Sequence, residues 1–318
     1  MSRVQSLPLD AATYQRHALH ADTAVWVEKN CYIDVWIELV HAVGCDPHAM
    51  LPFVAAVDFE GDQWTFFKPK HEELFDLYGI DVQELNVWRP LAQHVEVHVG
   101  AGKLIATEAD AFWLPDTQGT DYQRQHTKTT IIIADFDMEK RKLGYFHNAS
   151  YYALEGNDFE KLFRVGAPPD PEFQPHYAEV VRIDRLVKRP KEELVEMARG
   201  LLAKHVSRRP KDNPVVRFGD RITSDLTQLQ TEGLAMYHAW AFATIRQLGA
   251  SMELLQKHLE WRGEAAEAAD AFKKVSDGAK TLILKGARSV NSKKTLDAKP
   301  IFDEMSAAYA RGMELIAK

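Results

Sequence analysis

The character of the sequence changes near residue 165, and this change restricts the fold more than any other feature. Before it, segments with helical periodicity alternate with β-branched segments typical of strands. The proline-rich stretch 167–171 is typical of a linker. After residue 190, helical spacing predicts helices over about 191–205, 223–260, 264–290 and 300–317. We therefore expect an α+β protein with a mixed domain over 1–165, a linker and connecting strand over 166–190, and an all-helical domain over 191–318.

Charge and cysteine content exclude several classes of protein. The chain has 318 residues with 46 acidic and 39 basic side chains, a net charge of −7, which argues against nucleic acid as a general partner. Its two cysteines are too few for a disulfide framework. The N-terminus lacks the apolar core of a signal peptide, and no apolar run reaches membrane-spanning length. We therefore expect a cytoplasmic protein without a membrane partner.

Cys31 lies where a helix is predicted to begin, which makes it the candidate nucleophile. Apolar residues recur at helical spacing over 33–40, Asn30 is suited to cap the helix, and Gly44 is suited to end it. A cysteine in the first helical turn faces unpaired backbone N–H groups and the positive end of the helix dipole, and both favour the thiolate. Cys45 follows Gly44 and has none of these features, so we expect it to be structural.

A histidine and an asparagine are expected to complete the catalytic site. His126 begins the most β-branched segment of the chain, which predicts a strand. If the next turn centres near residue 137 or 138, antiparallel pairing places residue 148 or its neighbours opposite His126. Asn148 would then hold the imidazole in one orientation. His147 is the second candidate for this role, because the register can slip by one residue.

The order of a cysteine at a helix start, a histidine at a strand start and an amide on the next strand resembles that of papain-like cysteine enzymes. The resemblance is closest to butirosin-type side-chain acyltransferases and bacteriocin-leader peptidases. In the former, a strand ending in a Leu-Pro turn leads into the histidine strand, as Leu114 and Pro115 do here. It implies a papain-like catalytic domain over 1–165. We expect four residues to line the substrate cleft: Asp110, Trp113, His238 and Arg246.

Over almost its full length the chain also resembles a bacterial family, domain of unknown function family 1839, encoded beside carrier-protein amino-acid ligases. The matching stretches are 30–32, 58–67, 114–117, 144–148 and 241–247. Together the resemblances imply an acyltransferase. It would take an acyl or aminoacyl group from the phosphopantetheine thioester of an acyl carrier protein, hold it on Cys31 and pass it to a small-molecule acceptor. His126 would assist thiolate formation and later deprotonate the acceptor. We expect no bound cofactor and no metal.

One departure from the papain-like pattern leaves two alternatives open. Those enzymes often place a glutamine shortly before the cysteine as an oxyanion donor, and none lies between His17 and Cys31. The backbone N–H of Cys31 can serve, with the side chain of Asn30 or Thr23 as second donor. The alternatives are a cysteine hydrolase, either thioesterase or peptidase, and a non-catalytic adaptor that binds a carrier protein. The missing glutamine favours the adaptor.

Three further patterns bear on ligands and partners. His94 and His98 have a spacing that suits zinc, but surface histidines often show it, so we do not expect a metal there. The helix predicted around 237–247 is unusually aromatic for an exposed helix, so we expect it to pack inward. A basic stretch is typical of a solvated helix face, although it could dock an acidic partner. Its residues are Lys273, Lys274, Lys280, Lys285, Arg288, Lys293 and Lys294.

Overall fold

The computed structural model describes residues 3–28, 30–168, 170 and 172–317, so Pro169 and Pro171 of the predicted linker lie outside the described residues. The α+β prediction is confirmed, with strands in the N-terminal half and helices in the C-terminal region. The chain forms two compact units whose boundaries differ from the predicted ones. Unit 1 comprises Met1–Ala21, Cys31–Pro47 and Lys70–Arg189, and unit 2 comprises Asp22–Asn30, His48–Pro69 and Pro190–Lys318.

Unit 1 is built on an antiparallel sheet of seven strands, counted over the part of the chain that the structure describes. The order is β2-β7-β3-β4-β5-β6, and β1 pairs with the far part of β4. The predicted β-branched strand is present as β4, and three short strands, β1, β2 and β6, were not predicted. The strands are β1 (Val4–Gln5), β2 (Asp81–Glu84), β3 (Leu104–Asp110), β4 (Lys128–Asp137), β5 (Lys142–His147), β6 (Ser150–Glu155) and β7 (Ala178–Arg182).

Helices cover both faces of this sheet. They are α1 (Cys31–Ala42), α2 (His71–Tyr78), α3 (Leu91–Gly100) and α4 (Asn157–Leu162). On one face, alternate strand residues such as Ile131 and Tyr145 form a buried cluster with Val95 of α3 and Phe159 of α4. Side chains of successive strand residues point to opposite faces, and α1 packs against β4, β5 and β6 on the other face.

A buried charged cluster attaches α1 to the N-terminal segment. Nδ1 of His20 lies 2.5 Å from Glu38 and Nε2 lies 3.2 Å from Asp34, while the hydroxyl of Tyr14 donates to Glu38 at 2.6 Å. Burial by itself lowers the pKa of His20, but hydrogen bonds and charges from the two carboxylates outweigh it and raise this pKa to about 9. His20 is therefore an imidazolium at neutral pH.

Unit 2 is helical, and the long helix predicted over 223–260 is broken twice. Gly233 has φ +93° at the first break, a left-handed backbone that favours glycine. Thr244 forms the second break, and its hydroxyl donates to the carbonyl of Trp240 at 2.7 Å. The helices are α5 (Lys191–Ser207), α6 (Pro214–Glu232), α7 (Leu234–Ala243), α8 (Ile245–Arg262), α9 (Ala266–Ser292) and α10 (Lys299–Ile316).

Long-range hydrogen bonds explain why two early segments belong to unit 2. The backbone N–H of Trp26 donates to Glu253 at 3.0 Å, and its indole N–H donates to Ser276 at 2.7 Å. The backbone N–H of Trp64 donates to the carbonyl of Ala243 at 2.9 Å. Over the described ranges, no helix combines the length and apolar content needed to cross a membrane.

Candidate active site

Cys31 is the first residue of α1 and is partly exposed. Tyr32, the residue after Cys31, attaches the start of this helix to β7. The hydroxyl of Tyr32 is 3.0 Å from a carboxylate oxygen of Glu179 on β7 and 2.9 Å from Nε2 of His71. Glu179 is buried and also accepts from the hydroxyl of Tyr177 at 2.9 Å. Burial, reinforced by the charge of Glu179, raises the pKa of Tyr32, so the phenol stays protonated as a donor.

His126 lies two residues before β4 and forms a pair with Asp110, the last residue of β3. Its Nδ1 is 2.6 Å from Oδ2 of Asp110, and its ring stacks on Phe112 with centroids 4.3 Å apart. The histidine side chain is 67% exposed, so a substrate can reach it. A carboxylate at Nδ1 favours the tautomer with its proton on that nitrogen, which leaves Nε2 to accept a proton.

The His126–Asp110 pair belongs to the sheet face on which α1 lies. Ala109 is part of the buried cluster with α3 and α4, so Asp110, the next residue, points to the opposite face, as does Glu179. Glu179 of β7 lies opposite Ala106 of β3. Ala106 is four residues before Asp110 on the same strand. At roughly 3.3 Å per residue, these two positions on β3 are about 13 Å apart along the strand. The start of α1 and the histidine–carboxylate pair therefore share one face of the sheet.

Asn148 does not lie where the sequence predicted. Ile131 is opposite His147, and this register, continued outward, would place position 126 opposite 152 rather than 148. The hairpin turn lies at 138–141, later than assumed, and a bulge between Ile133 and Asp135 shifts the register back by only one residue. Asn148 occupies the two-residue turn between β5 and β6 with φ +45°, a conformation that asparagine tolerates well. The sequence signal at Asn148 is explained by the turn.

His147 is fully buried on the face that carries α3 and α4, opposite to the His126–Asp110 pair. Its Nδ1 lies 2.5 Å from Asp116 and its Nε2 lies 2.8 Å from the hydroxyl of Thr129. The hydroxyl of Tyr145 donates to the other oxygen of Asp116. Both ring nitrogens are therefore occupied in a network that fixes the Leu-Pro turn against β4 and β5.

The two side chains predicted as oxyanion donors differ in their surroundings. Asn30 is buried, and its amide donates to the carbonyl of Phe67 at 2.9 Å and to Gln247 at 3.4 Å within unit 2. Thr23 lies in an exposed turn of the same unit. Because the Asn30 donors are engaged, the backbone N–H of Cys31 is the better candidate for the oxyanion donor.

The residues predicted to line a cleft fall in different places. Asp110 is the partner of His126, a role that the sequence did not assign to it. Trp113 is half-buried, with its ring edge-to-face on Phe112 at 4.6 Å. His238 is exposed on α7. Arg246 is half-buried at the start of α8, and this burial lowers its pKa.

Cys45 has the surroundings of a structural thiol. Its Sγ lies 3.8 Å from the carbonyl oxygen of Val187. Burial raises the pKa of the Cys45 thiol, and the nearby charge of Lys188 only partly opposes this. Cys45 therefore carries less thiolate at neutral pH than an ordinary cysteine.

His94 and His98 form a stacked pair on α3, with ring centroids 6.4 Å apart. Burial lowers the pKa of both side chains, and the nearby cations Arg89 and Lys103 act in the same direction. Within 3–28, 30–168, 170 and 172–317, no third histidine, cysteine or carboxylate joins them in a ligand cluster. Their spacing is that of one helical turn and needs no metal to explain it.

Two family models together cover most of the chain. The DUF1839 N-terminal domain matches residues 15–183, and the DUF1839 C-terminal domain matches residues 191–318. The chain therefore belongs to the DUF1839 family, as the resemblance predicted. No curated protein matches the chain. The second match begins just after the end of the last segment of unit 1, at Arg189.

Proposed function

We propose that this member of the DUF1839 family is a cysteine-dependent acyltransferase with a papain-like first unit. The observation that carries the proposal is a pair of features on one face of the sheet. A partly exposed cysteine occupies the first turn of α1, and an exposed histidine is held by a carboxylate at the end of β3. Cys31 is the nucleophile, His126 the general base and acid, and Asp110 the residue that orients His126.

The first half-reaction transfers the acyl group to the enzyme. In the complex with the donor, where Cys31 and His126 are proposed to meet, His126 takes the proton of the Cys31 thiol, and the thiolate attacks the carbonyl carbon of the donor thioester. The carbon–sulfur bond of the donor then breaks, and the departing thiolate receives the proton from His126. Exchange of one thioester for another is nearly balanced in free energy, so the enzyme contributes mainly positioning and stabilisation of the oxyanion.

The second half-reaction passes the acyl group to a small acceptor. Nε2 of His126 takes a proton from the amine or hydroxyl of the acceptor as that group attacks the thioester on Cys31. The carbon–sulfur bond breaks and the Cys31 sulfur regains a proton from His126. The proposed donor is a carrier protein loaded through phosphopantetheine, which the resemblance to proteins encoded beside carrier-protein ligases supports.

Two alternative functions remain: a hydrolase that uses the same three residues, and an adaptor that uses none of them for catalysis. A hydrolase would admit water to the acyl-enzyme in place of the acceptor. A non-catalytic adaptor would need neither a thiolate nor an oriented base. The exposed His126–Asp110 pair favours an enzyme, because an adaptor gains nothing from holding an exposed imidazole against a carboxylate.

Alkylation of the folded protein tests the choice of nucleophile. We expect iodoacetamide at neutral pH to label Cys31 before Cys45, because Cys31 lies at a helix start and burial raises the pKa of Cys45. Peptide mapping after limited labelling measures the ratio. Protein unfolded in urea, in which the two thiols should react alike, is the control. Preferential labelling of Cys45 would contradict the assignment, and an unreactive Cys31 would favour the adaptor.

A further inference from the structure

Helix α7 is apolar, yet most of its side chains are exposed. In Leu234–Ala243 only Tyr237 and Ala241 are buried, so the prediction that this helix packs inward holds for one narrow face alone. Leu234, Met236 and Phe242 are 37%, 49% and 39% exposed. Contiguous exposed apolar surface on a folded protein marks a site of interaction.

The inner face of α7 attaches the helix to α9 and α6. The hydroxyl of Tyr237 donates to the carbonyl of Ile283 on α9 at 2.6 Å. The approach is close enough that a Cβ on Gly286 would lie 2.6 Å from the Tyr237 hydroxyl. On the other side, the indole N–H of Trp240 donates to Asp225 of α6 at 3.3 Å. The inner face thus packs within unit 2, and the Tyr237 contact places α7 beside residues 283–286 of α9.

Next to this contact, α9 presents an exposed leucine between cations. Leu284 directly follows Ile283 and is 67% exposed, with Lys280 one turn before it and Arg288 one turn after it. Neither cation has an ion pair in the described part of the chain, and the same holds for Lys285. These positive charges lie in a protein whose net charge is −7. The surface therefore combines apolar side chains with cations that the rest of the chain does not neutralise.

We propose that this surface docks an acidic amphipathic helix of the donor carrier protein, an inference that rests on the proposed function. An apolar stripe on the partner would cover α7 and Leu284, and carboxylates beside that stripe would meet the cations of α9. An acidic protein is favoured over a lipid surface, since α7 itself carries no lysine or arginine, the residues that helices lying on membranes carry on their polar face. The docking surface comprises Leu234, Met236, Phe242, Lys280, Leu284, Lys285 and Arg288.

The test measures binding of a purified acyl carrier protein, in its phosphopantetheine form, to the full chain carrying Cys31→Ala. Calorimetry at low salt should give a micromolar affinity, typical of a transient complex. Met236→Ser and Phe242→Ser should each weaken binding by about tenfold, through loss of apolar contact. Lys280→Glu combined with Arg288→Glu should weaken it by about tenfold or more and reduce its dependence on salt.

Two substitutions outside the docking surface serve as controls. Val97→Ser and Lys161→Glu change exposed residues of unit 1 and should leave affinity unchanged. Absence of binding, or equal binding by all variants, would overturn the proposal. So would binding to phosphatidylglycerol vesicles, or self-association of the protein alone, that Met236→Ser abolishes. Because the assay uses Cys31→Ala, intact binding without any acyl transfer by the unmodified chain would contradict only the proposed activity.

Discussion

Replacing His20 by alanine should lower the free energy of unfolding by about 3–5 kcal/mol at pH 6. The change leaves Asp34 and Glu38 buried without their common counter-charge. Oδ2 of Asp34 already has no hydrogen-bond partner among the described residues, so this carboxylate has little else to stabilise it. Urea unfolding followed by circular dichroism measures the loss. Since α1 carries both carboxylates, the same variant should also loosen the helix that presents Cys31.

The effect of His20 should depend on pH in one direction. Its pKa rises from 6.5 to about 9 on folding, so its stabilising contribution is complete below pH 6.5 and is lost as pH rises through 9. A shift of this size corresponds to about 3 kcal/mol. The difference between wild type and His20→Ala should therefore shrink between pH 6.5 and pH 9.

His41 on the same helix provides a matched control for this stability prediction. Its Nε2 lies 3.1 Å from the carbonyl oxygen of Gln15 at the surface, so His41→Ala should cost only about 0.5–1.5 kcal/mol. A His20→Ala variant as stable as His41→Ala would contradict the role of the charged cluster. A difference between wild type and His20→Ala that widens above pH 7 would contradict the raised pKa of His20.

Asp110→Asn should reduce turnover by about 10²–10⁴-fold while the fold is retained. The amide can no longer accept the Nδ1 proton of His126 as a carboxylate does, so the imidazole loses the tautomer that leaves Nε2 as the base. Asp110 is the last residue of β3, His126 precedes β4, and His126 is 67% exposed, so the free energy of unfolding should change little. Steady-state transfer from an acylated carrier protein measures the loss, with circular dichroism as the check on folding.

A variant of Asn148 tests whether Asp110 or the asparagine predicted from the sequence orients His126. Its φ of +45° lies where glycine is unstrained, so Asn148→Gly should keep the turn between β5 and β6 and retain activity. If Asn148→Gly lost as much activity as Asp110→Asn, the orienting residue would be the asparagine that the sequence suggested.

Local features of the fold could be predicted from the sequence. Helix α1 begins at Cys31, as the sequence predicted, because helical periodicity and helix-starting residues act within a few positions. The register of β4 against β5 could not be predicted. It depends on the length of one turn and on a bulge near Ala134, and neither leaves a distinctive local pattern.

The assignment of chain segments to the two units depends on long-range contacts, which the sequence does not show. Segments 22–30 and 48–69 belong to unit 2 through partners far along the chain: Glu253 lies 227 residues after Trp26, and Ala243 lies 179 residues after Trp64. The Asp110–His126 pair, in contrast, depends on two strands that are neighbours in the sequence. Asp110 ends one strand and His126 precedes the next, so pairing these consecutive strands would have brought the two together.

Intact-protein mass spectrometry after incubation with acyl carrier proteins loaded with different acyl groups tests the central claim most directly. The wild-type chain should gain the mass of one acyl group, because the thioester on Cys31 accumulates when no acceptor is present. Cys45→Ser should gain the same mass, Cys31→Ala should gain none, and a suitable amine should discharge the wild-type adduct. An acyl adduct that persists in Cys31→Ala, or a wild-type chain that no loaded carrier protein acylates, would contradict the account.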